Sequence, residues 1–150
     1  NRGANCIYCA ISTSTVIGYA SSSQTIGIFG DVTFTHDIVF LPHCVKLANE
    51  YGINFIFVVI DNDGGAIFSH LDQGNNSPLK ESYTKLIQTP TEIDFEKVSE
   101  AFGARTGSSL DEFKFALSNN QPGVDVIVLK AEHLSGRTFM SLLQSKASSI

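Results

Sequence analysis

Apolar residues in this chain follow two patterns. Three short stretches are dominated by apolar residues: Thr25–Ile26–Gly27–Ile28–Phe29, then Asn54 to Ile60, then Val124, Val126, Ile127, Val128 and Leu129. Runs of this kind, rich in β-branched and aromatic residues, read as strands covered on both faces, as in a parallel sheet. Between them the apolar residues recur at helical spacing. Leu41, Val45 and Ala48 share one face of a helix over 41–51, with Pro42 in the first turn, where a missing N–H does no harm. Phe95, Val98 and Phe102 repeat the pattern behind Asp94, a candidate N-cap, and Gly103 ends that helix. Ser109 and Glu112 form a capping-box pair ahead of Phe113, Ala116 and Leu117. Ile11–Ala20 is expected to be helical despite a Ser/Thr-rich composition of low propensity. A last helix is expected near Arg137–Gln144, from Phe139, Leu142 and Leu143. Strands alternating with helices in this order predict an α/β fold, an open and mainly parallel sheet with helices on both faces.

Composition narrows the classes of function. Of 150 residues, 43% are hydrophobic and 17% charged, against about 25% charged in an average soluble domain. A chain this apolar can offset its conformational entropy, so disorder is excluded, and the length suits one domain. A net charge of -5 and the lack of a basic block argue against a nucleic-acid face or a charged membrane surface. No apolar run is long enough to span a bilayer, and no signal peptide is visible after Asn1. Three cysteines, Cys6, Cys9 and Cys44, are too few for a disulfide framework and suggest a reducing compartment.

In open parallel sheets ligands bind beyond the carboxyl ends of the strands. Two polar segments fall there: Gly30–Asp31–Val32–Thr33 and Asp61–Asn62–Asp63–Gly64–Gly65. The Asp31 carboxylate, the Asn62 amide oxygen and a free backbone carbonyl are hard oxygen donors of the type that suits Mg²⁺, whose shell is usually completed by phosphate and water. Gly30, Gly64 and Gly65 would let a diphosphate approach the backbone. The same residue types are also ordinary turn formers, so these segments alone leave both readings open.

Taken with their flanks, the segments resemble a known family. Gly-Asp after one strand and Asn-Asp-Gly after the next is similar to the split metal–diphosphate motif of thiamine diphosphate enzymes. The fuller resemblance is to the SEPHCHC synthases of menaquinone and phylloquinone biosynthesis. It is carried by Asn1–Arg2–Gly3–Ala4, by Gly30–Asp31–Val32–Thr33–Phe34–Thr35–His36–Asp37, by the run Val59 to Leu71, and by Thr89–Pro90 leading to Asp94–Phe95. The resemblance implies an enzyme that decarboxylates 2-oxoglutarate and adds the resulting carbanion to isochorismate. It implies that residues 1–150 are a C-terminal diphosphate-binding domain, truncated on its N-terminal side. The implied cofactors are thiamine diphosphate and Mg²⁺ or Mn²⁺. Asp31, the Asn62 side chain and the Gly64 carbonyl would hold the metal. Gly30, Asp31, Val32, Asn62, Gly64, Gly65, Ala66 and Ile67 would line the cofactor. Arg2 would hold a substrate carboxylate, and Phe68 and Leu71 would contact the isochorismate ring. The implied partner is a pyrimidine-binding domain of the same or a second subunit, in a homodimer or homotetramer of the bacterial cytoplasm or a plastid. The activating Glu would come from that domain, so no catalytic residue is expected in this stretch.

The chain also departs from the pattern. Where the family has Arg-Gly-Ala-Ser-Gly-Ile-Asp-Gly, this sequence has Asn5, Cys6, Tyr8 and Cys9 in place of Ser, Gly, Asp and Gly. Asp61 stands where the first Asn of the usual pair would be, and the interval from Asp31 to Asn62 is longer, with extra residues expected around 49–52. These departures keep two alternatives in play: a non-catalytic domain of the same fold with a scaffolding role, or a thiamine diphosphate decarboxylase for another 2-oxo acid. Competing sites are weaker. Cys6-x-x-Cys9 supplies half of a zinc site, and Cys44 with His36 or His43 lacks an orienting group. His36 reads as a structural residue behind the metal loop, and the polar stretch 73–88 as a lid or surface elaboration.

Overall fold

The computed structural model describes residues 9–65 and 84–131. In chain order these form α1 (Ala10–Ser21), β1 (Thr25–Gly30), α2 (Asp31–Asp37), α3 (Leu41–Tyr51), β2 (Asn54–Asp61), α4 (Phe95–Ala101), β3 (Arg105–Gly107), α5 (Leu110–Asn119) and β4 (Gly123–Lys130). The helix expected near Arg137–Gln144 lies outside the described residues. The four strands make one parallel sheet in the order β1-β2-β4-β3, the α/β architecture expected. Predicted helix starts are found as well. The Asp94 carboxylate accepts the Lys97 N–H at 3.1 Å, and Ser109 Oγ accepts the Glu112 N–H at 3.2 Å. Glu112 returns the contact by accepting from the Ser108 N–H at 2.9 Å, closing a capping box one residue early.

β2 and β4 are central and buried along nearly all of their length, which explains their mostly apolar sequences. β1 differs from the expectation. Among the described residues it borders only β2, and its burial alternates: Gly27 and Phe29 are inside, while Ile26 and Ile28 are 45% and 71% exposed. Its run is apolar on both sides, yet the described residues cover only one. β3 was not expected at all. Arg-Thr-Gly carries no apolar signal, and the strand is held by tertiary bonds, with the Arg105 guanidinium donating to both Asp125 carboxylate oxygens at 2.7 Å. A planar fork on a carboxylate is a strong, orienting arrangement.

The main core lies between the sheet and helices α1 to α4, and five phenylalanines form its centre. Phe29 packs on Phe34 and Phe57, Phe34 on Phe95, and Phe55 on Phe57, with ring centroids 5.5–6.1 Å apart. Each buried ring contributes roughly 1.5–3 kcal/mol. Phe34, fully buried, anchors the short helix α2 directly behind β1. On the opposite face α5 covers Ile56 and Ile127 through Ala116. Residues 49–52 form the end of α3 and its cap at Gly52.

Candidate functional site

The carboxyl ends of β1 and β2 meet at one point. Gly30 ends β1 in an extended conformation, and the chain turns at once into α2, so Asp31 occupies the first helical position rather than a loop. Its side chain is only 2% exposed. One carboxylate oxygen accepts the Val32 N–H at 2.8 Å and the other accepts the Gly64 N–H at 2.6 Å. That second bond spans 33 positions of sequence and joins the two polar segments. Burial pushes the Asp31 carboxyl above its ordinary range; the Gly64 and Val32 N–H groups oppose the shift, and the adjacent Asp61 carboxylate adds to it. An ionised carboxylate oxygen has more than one acceptor position, so Asp31 retains capacity for a cation.

The second segment is a tight turn. Asp63 and Gly64 have φ of 64° and 104°, the left-handed region that favours glycine at the second position. A Cβ on Gly64 would lie 2.4 Å from the Gln88 carbonyl and 2.9 Å from that of Thr89. The stretch around Gln88 backs the turn: the Gly65 N–H donates to the Gln88 carbonyl at 2.6 Å, and Gln88 Nε2 donates to the Asp63 carbonyl at 3.0 Å. Asn62 sits half-buried within this turn. At Gly30 the situation is reversed, since a Cβ there would meet nothing within 4 Å. That open backbone is the kind of surface a phosphate can approach.

Asp31, Val32, Asn62, Gly64, Gly65 and Gly30 are therefore gathered at the ends of two adjacent strands. Arg2, Ala66, Ile67, Phe68 and Leu71 lie outside the described residues. Among the described residues no three His, Cys, Asp or Glu side chains gather to hold a metal ion. A cation on Asp31, the Asn62 amide and the Gly64 carbonyl would thus need oxygens from a ligand or water to complete its shell, a demand that suits Mg²⁺ with a diphosphate. Beside the turn a cleft of about 390 Å³ is lined by Asp61, Asp63, Glu92, Asp94, Glu96 and Lys130, among others. Five carboxylates against one ammonium make it a poor seat for a phosphate. A smaller cavity of about 230 Å³, lined by Val32, Thr35, His36, Thr89, Thr91 and Ile93, opens on the side of α2.

Three supporting groups have roles that the sequence reading does not assign. Asp37 accepts the Ser12 N–H at 2.8 Å and the Ser12 hydroxyl at 3.1 Å, so α2 caps α1 from across the fold. Gln88 backs the glycine turn. Lys130, at the end of β4, pairs with the Asp61 carboxylate, its register partner on β2. Lys130 follows directly on the apolar run that predicts β4, so the rule that sites sit beyond strand ends could have found it. Cys6 of the Cys6-x-x-Cys9 pair lies outside the described residues, whereas the Cys44 candidate falls away. Cys44 is fully buried on α3, and burial pushes its thiol up to about 11 against a hydrogen bond from Thr15, which leaves no thiolate for nucleophilic chemistry.

This geometry can be set beside known proteins. The profile of the thiamine pyrophosphate enzyme C-terminal TPP binding domain matches residues 5–127. The chain is 31% identical over 150 residues to 2-succinyl-5-enolpyruvyl-6-hydroxy-3-cyclohexene-1-carboxylate synthase of Bacillus velezensis, covering 97% of this chain and 25% of that protein. It is 33% identical to the same-named proteins of Bacillus pumilus, over 90% of this chain and 23% of the relative, and of Listeria monocytogenes serotype 4b, over 87% and 22%. The chain thus spans about a quarter of the length of these relatives. With Asp31 and Gly64 joined where the two motifs meet and the profile covering most of its length, the chain belongs to the C-terminal TPP binding domain family of thiamine pyrophosphate enzymes.

Proposed function

We propose that this chain is the diphosphate- and metal-holding domain of a SEPHCHC synthase, an enzyme that decarboxylates 2-oxoglutarate and joins the remaining four-carbon unit to isochorismate in menaquinone or phylloquinone biosynthesis. The observation that carries the reading is the bond between Asp31 and Gly64, which unites the two halves of the motif at the carboxyl ends of β1 and β2. The relatives named for this activity support the substrate pair.

In this reading Asp31, the Asn62 amide oxygen and the Gly64 carbonyl hold Mg²⁺ or Mn²⁺. Gly30, Val32, Gly65, Ala66 and Ile67 would line thiamine diphosphate, which when bound would supply the electron sink for decarboxylation and carbon–carbon bond formation. The chain's own contribution is to bind and orient. Buried Asp31 would fix the cation, the bare backbone at Gly30 would admit the diphosphate, and the bonds from Gln88 hold the Asp63–Gly65 turn in place. Arg2 would hold a substrate carboxylate with its guanidinium fork, and Phe68 and Leu71 would contact the ring of isochorismate. A pyrimidine-binding domain of the same or a second subunit would complete the site, in a homodimer or homotetramer of the bacterial cytoplasm or a plastid.

Calorimetric titration of thiamine diphosphate with Mg²⁺ into the protein produced from its whole reading frame tests this. Saturable binding that Asp31→Ala abolishes is expected. Lack of binding would refute the reading and favour a scaffolding domain, to which Cys6, Tyr8 and Cys9 in place of smaller or acidic family residues already point. Product analysis with 2-oxoglutarate, with and without isochorismate, separates the synthase from a decarboxylase of another 2-oxo acid.

A further inference from the structure

Asp61 is the residue of the metal turn least expected from the family pattern, which has an amide there. The substitution puts a second carboxylate against Asp31 and beside the place a diphosphate would occupy. Its surroundings show how the chain accommodates it. Asp61 is 5% exposed. One carboxylate oxygen accepts the Asp63 N–H at 3.2 Å and the other takes the Lys130 ammonium. The backbone repeats the link, with the Ala131 N–H donating to the Asp61 carbonyl at 2.8 Å. The register brings the two side chains together, since Asp61 and Lys130 are direct partners at the last position of β2 and β4.

We infer that Lys130 is a positioning residue for the cofactor turn: by pairing with Asp61 it cancels the added negative charge and holds the Asp61–Asp63 backbone, so that the turn still accepts an anionic diphosphate with its metal. The inference rests on the reading of the site as a thiamine diphosphate site. A surface ion pair by itself does little. This one has a buried carboxylate on one side, and that carboxylate left alone is an uncompensated charge next to a second acid and an incoming anion. The lysine stem is 79% exposed, so removing it opens no large cavity.

The pairing makes a specific demand on a double-mutant cycle, because loss of the lysine should matter only while residue 61 is charged. Binding of Mg²⁺–thiamine diphosphate to the protein produced from its whole reading frame is measured by calorimetry for wild type, Lys130→Met, Asp61→Asn and the double variant. Lys130→Met should weaken binding at least about tenfold. Asp61→Asn should remain within about threefold of wild type, and the double variant should recover most of what Lys130→Met loses. Lys130→Arg, which keeps the charge, should bind like wild type. The far-ultraviolet circular dichroism of each variant separates a lost fold from a lost site. Wild-type affinity in Lys130→Met, or a double variant no better than Lys130→Met, overturns the inference while leaving the site reading intact. Failure of the wild type itself to bind overturns the site reading, and the inference with it.

Discussion

Replacing Gly64 with alanine is the sharpest perturbation of the site, because the added methyl group has no room and no permitted backbone. With φ at 104° the residue lies where side chains are rarely tolerated, a strain of about 1–2 kcal/mol. The new Cβ would stand 2.4 Å from the Gln88 carbonyl oxygen and 2.9 Å from that of Thr89. Those are backbone atoms and cannot swing away as a side-chain tip would, so overlap adds roughly 1–3 kcal/mol. Relief would pull apart two bonds of 2.6 Å, from the Gly64 N–H to Asp31 and from the Gly65 N–H to Gln88. Gly64→Ala should therefore lower stability by about 2–5 kcal/mol, which at a urea slope of about 2 kcal/mol/M moves the unfolding midpoint by about 1–2.5 M. Gly30→Ala is the matched control. Gly30 has φ of -76° and open space around its Cβ direction, so stability should change by less than about 0.5 kcal/mol. Its methyl group would, however, stand on the bare backbone assigned to the diphosphate, and calorimetry should show weaker Mg²⁺–thiamine diphosphate binding. An unchanged midpoint for Gly64→Ala, or equal losses in both variants, would refute the distinction between a backed turn and an open cradle.

Asp37→Ala should cost about 1–2 kcal/mol in urea unfolding, because it removes the carboxylate that accepts from Ser12 at the start of α1; Asp37→Asn, still an acceptor, should lose less. In native protein treated with a thiol reagent at neutral pH, mass spectrometry should find exposed Cys9 labelled and buried Cys44 unlabelled, and labelling of Cys44 at the rate of Cys9 would contradict its burial. Ser109→Ala removes the N-cap of α5 and should destabilise by about 1 kcal/mol. Its pH dependence has a definite sign: hydrogen bonds from Ser109 and Ser108 hold the Glu112 carboxyl below its ordinary value, so that contribution is present above about pH 4.5 and is lost as the pH falls. The stability gap between wild type and Ser109→Ala should accordingly narrow in acid.

Much of this molecule is written locally. The runs at 54–60 and 124–129 specify central strands because burial on both faces demands a mostly apolar sequence, broken here only by Asn54 and Asp125, and the caps at Asp94 and Ser109 specify helix starts because the bonds they make close within four residues. The two polar segments at Gly30–Asp31 and Asn62–Gly65 were identifiable for the same reason, since strand ends and glycines mark them. What tertiary structure alone decides is which of these pieces meet. Ile26 and Ile28 look like core in sequence and are exposed in the described structure, because α5 packs over Ile56 and Ile127 of β2 and β4 and no described element covers that face of β1. Arg105–Gly107 looks like a loop and is a strand, because Asp125 on a neighbouring strand holds it. Register sets Lys130 against Asp61, and packing sets Gly64 against Asp31 and Gln88, contacts that cross 69, 33 and 24 positions of chain and leave no periodic trace. The sequence determined the elements and the chemistry available to them, and the sheet decided which groups share a site, because pairing between distant strands is a property of the assembled fold.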